Sequence, residues 1–212
     1  MLAVMTPPLS LVERKQRQAR QRIIEAAREL FLERGFDGVS VGDIAERAEV
    51  GRTTFFRHFG DKQEVVFANE QELLDTITAA RQADSTPAPR NATEAVEQLR
   101  PVLLALCAQA TADPGAYTRH FQLIEQHPAL RARDAVKMQQ IADKLSELLI
   151  HRGSDEPTAR FAAQIALACY QTAKSLGNNP RTLADETQAL LRRALTLGTG
   201  TAQTQAEPPG QG

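Results

Sequence analysis

From Arg52 to His58 the chain reads RTTFFRH, and five of these side chains can donate hydrogen bonds or carry positive charge: Arg52, Thr53, Thr54, Arg57 and His58. At helical spacing they share the edge opposite Phe55 and Phe59, so one side is built to pack and the other to donate. Short donors near a helix N-terminus can reach base edges in the DNA major groove, and cations can meet phosphate. Phe56, on the same helix, is a further candidate DNA contact. The chemistry expected of this stretch is therefore reading a duplex, with no bond made or broken.

A seven-residue helix needs others to hold it. The run from Ser40 to Phe59, SVGDIAERAEVGRTTFFRHF, divides into two helical phrases, Val41 to Ala48 and Gly51 to Phe59, joined by Glu49 and Val50. That is the length of the turn in a helix-turn-helix. Ser40 followed by Asp43 has capping-box spacing, and Ile44, Ala45, Ala48, Val50, Phe55 and Phe59 continue one apolar edge across both phrases. Ser40 and Lys62, at the starts of the flanking helices, are placed to meet phosphate, as are Arg14 or Lys15 near the first helix.

The run GFDGVSVGDIAERAEVGRTTFFRHFGDKQEVVF, Gly35 to Phe67, closely resembles the N-terminal signature of the TetR/AcrR transcriptional regulators. The matching positions are Gly35-Phe36, Val41, Ile44-Ala45, Ala48, Val50, Thr53/Thr54, Phe55, Phe59, Lys62 and the apolar start of the next helix, so that roughly the first 70 residues are covered. The resemblance implies an all-α protein: a helix-turn-helix DNA-binding domain followed by a larger helical domain for ligand binding and dimerisation. It departs at Phe56, where the family usually has a tyrosine whose hydroxyl meets a DNA phosphate.

Charge agrees in its distribution, not in its sum. The net charge of the 212 residues is only -1, but residues 1 to 60 carry ten Arg/Lys against eight Asp/Glu, which leaves fifteen against eighteen for the rest. Five cations and no acid lie between Arg14 and Arg22. A cationic run is often only a solvated helix face; beside a helix-turn-helix, phosphate contact is the better reading.

The first helix opens on Ser10 with Glu13, carries Ile23, Ile24, Ala27, Leu30 and Phe31 on one stripe and stops at Gly35. Gly60 is placed for a left-handed cap. The next helix starts at Asp61, carries Val65, Val66, Leu73, Leu74 and Ile77 and extends to about Asp84. Further helices are expected from Ala92 to Ala110 around Pro101, from Ala116 to His127, from Ala129 to His151 with Val136 inward, from Thr158 to Leu176, and up to Leu197. The domain boundaries expected are a disordered 1–9, the DNA-binding domain 10–60, the second domain 61–197 and a disordered tail 198–212.

A single helix-turn-helix reads few base pairs, so a homodimer on a palindromic operator is expected. Its contact is expected on the last two helices, through Ile165, Cys169, Leu183, Leu190, Leu191 and Leu195, as the family resemblance also implies; completing the protomer core is the other reading of the same stripes. Candidates to line a small-molecule site are Phe67, Leu103, Cys107 and Phe121, with Ile124, Met138, Phe161 and Tyr170, for each of which ordinary core is the bland alternative. Arg119, His120 and His127 could receive an anion or simply be solvated. The segment Arg119 to Tyr170 also looks like the C-terminal domains of actinobacterial TetR regulators, some of which respond to acyl-CoA esters. The resemblance thus implies a repressor released by a largely apolar effector; a regulator controlled by a protein partner stays open.

Other chemistries find no support. His58, His120, His127 and His151 lack metal-ligand spacing with each other or with the two cysteines, and no Gly-rich phosphate loop or nucleophile elbow occurs. No enzyme activity, cofactor or metal is expected. No apolar run approaches the ~20 residues of a membrane span, and MLAVMTPPLS lacks the marks of a secretion signal, so a cytoplasmic protein with reduced Cys107 and Cys169 is expected.

Overall fold

The computed structural model describes residues 10–68, 70–82 and 86–196, with 70, 71 and 82 described by backbone alone. The expected disordered ends, 1–9 and 198–212, lie outside the described residues. Among these residues the chain is all-α: α1 (Leu11–Arg34), α2 (Val41–Arg47), α3 (Arg52–His58), α4 (Lys62–Val66), α5 (Glu70–Gln82), α6 (Ala92–Ala110), α7 (Pro114–Gln126), α8 (Pro128–His151), α9 (Glu156–Ser175) and α10 (Leu183–Thr196). Backbone contacts divide it into two compact units, residues 1–69 and 70–212.

The first unit forms because α1, α2 and α3 each bury one stripe. Ile23, Ala27 and Leu30 of α1, Ile44 and Ala45 of α2, and Phe55 and Phe59 at α3 close one core with Val39 and Val65. Local signals set the helix ends. Ser10 with Glu13 and Ser40 with Asp43 form the expected capping boxes, and the Asp61 carboxylate accepts from the Glu64 N–H at 2.9 Å. Gly60 does not take the left-handed conformation expected of it: α3 ends instead on Phe59 in an extended conformation.

The α2–α3 turn is a Schellman motif. The Val50 N–H donates to the Ala45 carbonyl at 2.9 Å and the Glu49 N–H to Glu46 at 3.0 Å, which forces Glu49 to φ 52°. The same closure after α8 is made by Gly153, at φ 97°, where no Cβ is strained.

The helix expected from 61 to about 84 is broken in two. α4 ends at Val66 because the Phe67 and Ala68 N–H groups turn back three residues, to Glu64 and Val65, and Arg20 Nη2 takes the Ala68 carbonyl at 2.8 Å. A stripe of apolar residues continues across such a break, which hides it from periodicity.

The second unit is organised on α9, which packs against α6, α8 and α10. Ala159, Ala162, Ala163, Ala166 and Ala173 are almost fully buried, and their small side chains let the neighbouring helices approach closely. Leu99, Leu103, Leu145, Leu148, Leu149 and Leu191 fill the space around them. Val136, expected inward, is 60% exposed: it lies two residues from Met138 and so about 200° around α8 from the buried stripe. Pro101 sits on the exposed side of α6, which continues through it.

Replacing Glu49 by Gly should relieve the left-handed strain and raise unfolding stability by up to about 1 kcal/mol, read by urea denaturation. A clear loss would mean that the long Arg22–Glu49 ion pair at 3.7 Å outweighs the backbone term.

Candidate nucleic-acid interface

The seven residues of α3 are too few to be stable alone, since isolated helices need roughly 12–15. Its position is set by Phe55, fully buried among α1 and α2 residues, and by Phe59, with ring centroids 5.9 Å apart. With that face fixed, Arg52, Thr53, Phe56 and Arg57 are exposed and Thr54 is half-buried. Phe56 is 54% exposed, its ring edge against Phe55 at 5.6 Å. The structure thus brings Arg52, Thr53 and Arg57, with Thr54 beside them, to one outward surface with an aromatic ring among them, while His58 is drawn partly inward.

Arg52 lies back across α2: a Cβ built on Gly42 would meet its Nη2 at 2.6 Å. The absence of a side chain at Gly42 lets the guanidinium rest against the backbone of α2's first turn. Ser40, exposed at that N-terminus, is tied to Asp43 through both its backbone N–H and its hydroxyl. The hydroxyl and the Arg34 cation, 3.4 Å from Asp43, hold that carboxyl below its ordinary range.

Two of the expected contact residues are engaged inside the unit. Lys62 Nζ donates to the Phe36 and Val39 carbonyls at 2.9 and 3.0 Å and lies 4.3 Å from the centre of the Phe36 ring. Lys62, expected to meet phosphate, here uses two of its donors to clamp the α1–α2 loop from which Ser40 projects. His58 is half-buried, with Nε2 out of solvent and unpartnered. Burial first, then the Arg57 and Arg20 cations, push its pKa down, which favours the uncharged imidazole.

Several positioning contacts have no counterpart in the sequence motif. Arg47 of α2 bridges Glu29 and Glu33 of α1, each at 3.0 Å, and is thereby held firmly protonated. Its signal was available, because Glu29 and Glu33 are a like-charge i,i+4 pair that favours a cation nearby. Arg20 carries no such signal; besides capping Ala68 it lies over the Phe59 ring at 4.8 Å. The α1–α2 flank also holds a shallow groove of about 230 Å³ lined by Gln21, Glu25, Glu29, Arg47 and Glu49 among others.

The other candidate residues divide by burial. Leu103, Cys107, Phe121, Ile124 and Met138 are buried in the second unit and Tyr170 is half-buried there; Phe67 is buried but belongs to the first unit. Phe161 is 58% exposed, so it lines no interior, since Ala162 and Ala163 take α9's inward face. Of the residues expected between protomers, Leu183 and Leu191 are fully buried and Cys169 nearly so by packing within the one chain. Ile165, Leu190 and Leu195 remain partly exposed. His127 Nδ1 donates to the Leu123 carbonyl at 2.8 Å, and Arg119 is exposed beside Gly115. No cluster of three metal-ligating side chains occurs among the described residues, and no described helix is long and apolar enough to cross a membrane.

Replacing Lys62 by Met, which keeps the aliphatic stem, should lower unfolding stability by about 1–3 kcal/mol through the two abandoned carbonyls. Weaker DNA binding with unchanged stability would restore a purely phosphate-directed role. His58 makes the first unit sensitive to acid. The unfolded chain takes up its proton near pH 6.5 and the folded one only lower. Stability should therefore fall as pH drops below about 6.5 and level off under the depressed folded value. His58→Gln should flatten that part of the pH–stability curve, and an unchanged slope would locate the effect elsewhere.

Comparison with known proteins places this geometry. Residues 23–68 match the family described as bacterial regulatory proteins, tetR family. The HTH-type transcriptional regulator TcmR of Streptomyces glaucescens is 27% identical over 164 residues, 76% of this chain and 72% of its own. HbdR of Aromatoleum sp. is 32% identical over 116 residues, 54% of this chain and 46% of its own. Among solved structures, Thermus thermophilus FadR, a TetR-family repressor in complex with lauroyl-CoA, aligns over 91% of this chain and all of its own, with TM-score 0.55 and 24% identity. A SmeT–triclosan complex aligns over 91% and 99%, with TM-score 0.56 and 19% identity, so these two likenesses are of fold. Residues 23–68 thus match the TetR family model, and the chain is similar to TetR-family transcriptional regulators.

Proposed function

We propose that the protein is a ligand-responsive repressor that binds a palindromic operator as a homodimer in the cytoplasm. The observation that carries the DNA-binding part is the exposed α3 surface, with Arg52, Thr53, Thr54 and Arg57 outward while Phe55 anchors the helix. On this reading Arg52 and the threonines meet base edges, Arg57 and Ser40 meet phosphate, and neutral His58 acts as a hydrogen-bonding group. Phe56 offers a ring where a hydroxyl would make a backbone contact, which suits apolar contact with a thymine methyl.

The dimer is assigned to the outward side of α9 and α10, through Phe161, Ile165, Leu190 and Leu195. An exposed aromatic beside half-buried aliphatics supports it, and Leu183, Leu191 and Cys169 act behind them as protomer core. The second unit is assigned to effector binding, with Leu103, Cys107, Phe121, Ile124, Met138 and Tyr170 on its inner side. Proteins of similar fold that hold lauroyl-CoA and triclosan support an apolar effector. A tightly packed Ala- and Leu-rich core favours the second reading, a regulator controlled by a protein partner, because a ligand must part helices to enter.

Binding of the full chain to the DNA upstream of its own gene, followed by fluorescence anisotropy with excess competitor DNA, separates the readings. Specific saturable binding, weakened by the small-molecule fraction of a cell extract, is the expected result. Binding that no small molecule disturbs would favour the protein partner, and absence of specific binding would defeat the operator assignment. Arg52→Ala should relax discrimination at one base pair by about 1–3 kcal/mol, whereas a uniform loss over all sequences would make Arg52 a phosphate contact.

A further inference from the structure

Besides Ser146 and Ser154, the core of the second unit holds one gathering of polar side chains among the described residues. There Cys107 of α6, Tyr117 of α7, Tyr170 of α9, Asn178 of the loop after α9 and Thr187 of α10 converge from five separate segments. The Tyr117 hydroxyl donates to Asn178 Oδ1, and Tyr170 lies beside Tyr117. Beside them the Cys107 thiol lies 3.8 Å from the Thr187 hydroxyl, both fully buried. Burial pushes both phenols above their ordinary range, so both stay protonated.

Such a cluster is an expensive way to fill a core. Replacing satisfied buried polar pairs by apolar groups of the same shape is often neutral or stabilising, so packing alone does not call for two phenols and an amide here. The cluster also has a direction. The Tyr117 hydroxyl gives its proton to Asn178 Oδ1, which ends the run on an acceptor and leaves a bond that one hydroxyl can enter by giving and taking. Aromatic surface adjoins it: the Tyr117 and Phe121 rings are 4.6 Å apart, and His120 meets Phe121 edge-on at 5.0 Å.

Charge near the cluster is already neutralised. Lys174 Nζ is 3.1 Å from Asp134 and 3.8 Å from the centre of the Phe121 ring, and both side chains of the pair are largely out of solvent. An incoming carboxylate would have to take Lys174 from Asp134 and leave that acid buried without its partner, which is strongly unfavourable. A neutral hydroxyl makes no such demand.

We propose that Tyr117, Tyr170 and Asn178, backed by Cys107 and Thr187, form the recognition point for the hydroxyl of a small neutral aromatic effector, a phenol rather than a carboxylate. The inference rests on the effector-binding role assigned to the second unit. The ligand hydroxyl inserts between the phenols and Asn178, takes over the bond, and lays its ring against Tyr117 and Phe121.

Calorimetric titration of the full chain, without DNA, with 1-naphthol, 1-methoxynaphthalene and 1-naphthoate tests it. 1-Naphthol should bind on the order of tenfold more tightly than the methyl ether, which cannot donate, and the carboxylate should bind least. Asn178→Gly, at a loop position with φ 49° where glycine is tolerated, should erase the preference for 1-naphthol over the ether while leaving the ether's own affinity unchanged, a readout that a merely structural asparagine would not move. Should Asn178→Gly fail to fold, Asn178→Ala removes the same acceptor and keeps a side chain that limits the loop. Equal binding of 1-naphthoate, an unchanged preference in the variants, or no binding of any of the three at millimolar concentration overturns the proposal. An effector-sensitive operator complex alongside such a failure would leave the repressor reading intact; loss of specific operator binding would remove that reading without touching this one.

Discussion

The burial of Phe55 is the constraint on which the DNA-facing surface depends. A seven-residue helix has no conformational stability of its own, so α3 exists because one aromatic side chain is more stable in the α1–α2 core than in water, by about 1.5–3 kcal/mol. Everything polar on α3 is aimed by that choice. The remaining contacts refine it: Lys62 holds the α1–α2 loop, Arg47 ties α2 to two acids of α1, and Arg20 fixes the end of α4 against α1. Cations in this unit therefore divide into those that build the platform and those left outward upon it.

That division was only half legible in the sequence. Patterns that depend on neighbours along the chain came through: capping boxes at Ser10 and Ser40, the apolar edge from Ile44 to Phe59, and the placement of the helix-turn-helix. What did not come through depends on partners distant in the chain. Lys62 and Arg57 are both cations near the recognition helix, yet one reaches the carbonyls of Phe36 and Val39, more than twenty residues away, and the other faces solvent. The break after Val66 escaped for the same reason, because the carbonyl it frees is satisfied by Arg20, forty-eight residues earlier.

In the second unit, spacing gave the helices but left open which side of each faces inward. Phe161 and Val136 are large apolar residues that turn outward because alanines on α9 and Met138 on α8 occupy the inner lines. Leu183 and Leu191 turn inward although α10 is the last described helix. A polar group met among such helices, such as Tyr117 or Asn178, is informative because so little else there can form a hydrogen bond.

Selection of randomised duplexes by the purified full-length protein, followed by sequencing of the retained DNA, tests the central claim with no operator sequence assumed. The account predicts a two-fold symmetric motif whose half-sites are one or two helical turns apart, with centres separated by about 34 Å per turn. An unsymmetric motif would contradict the paired arrangement, and retention without any preferred sequence would contradict base reading by α3 itself.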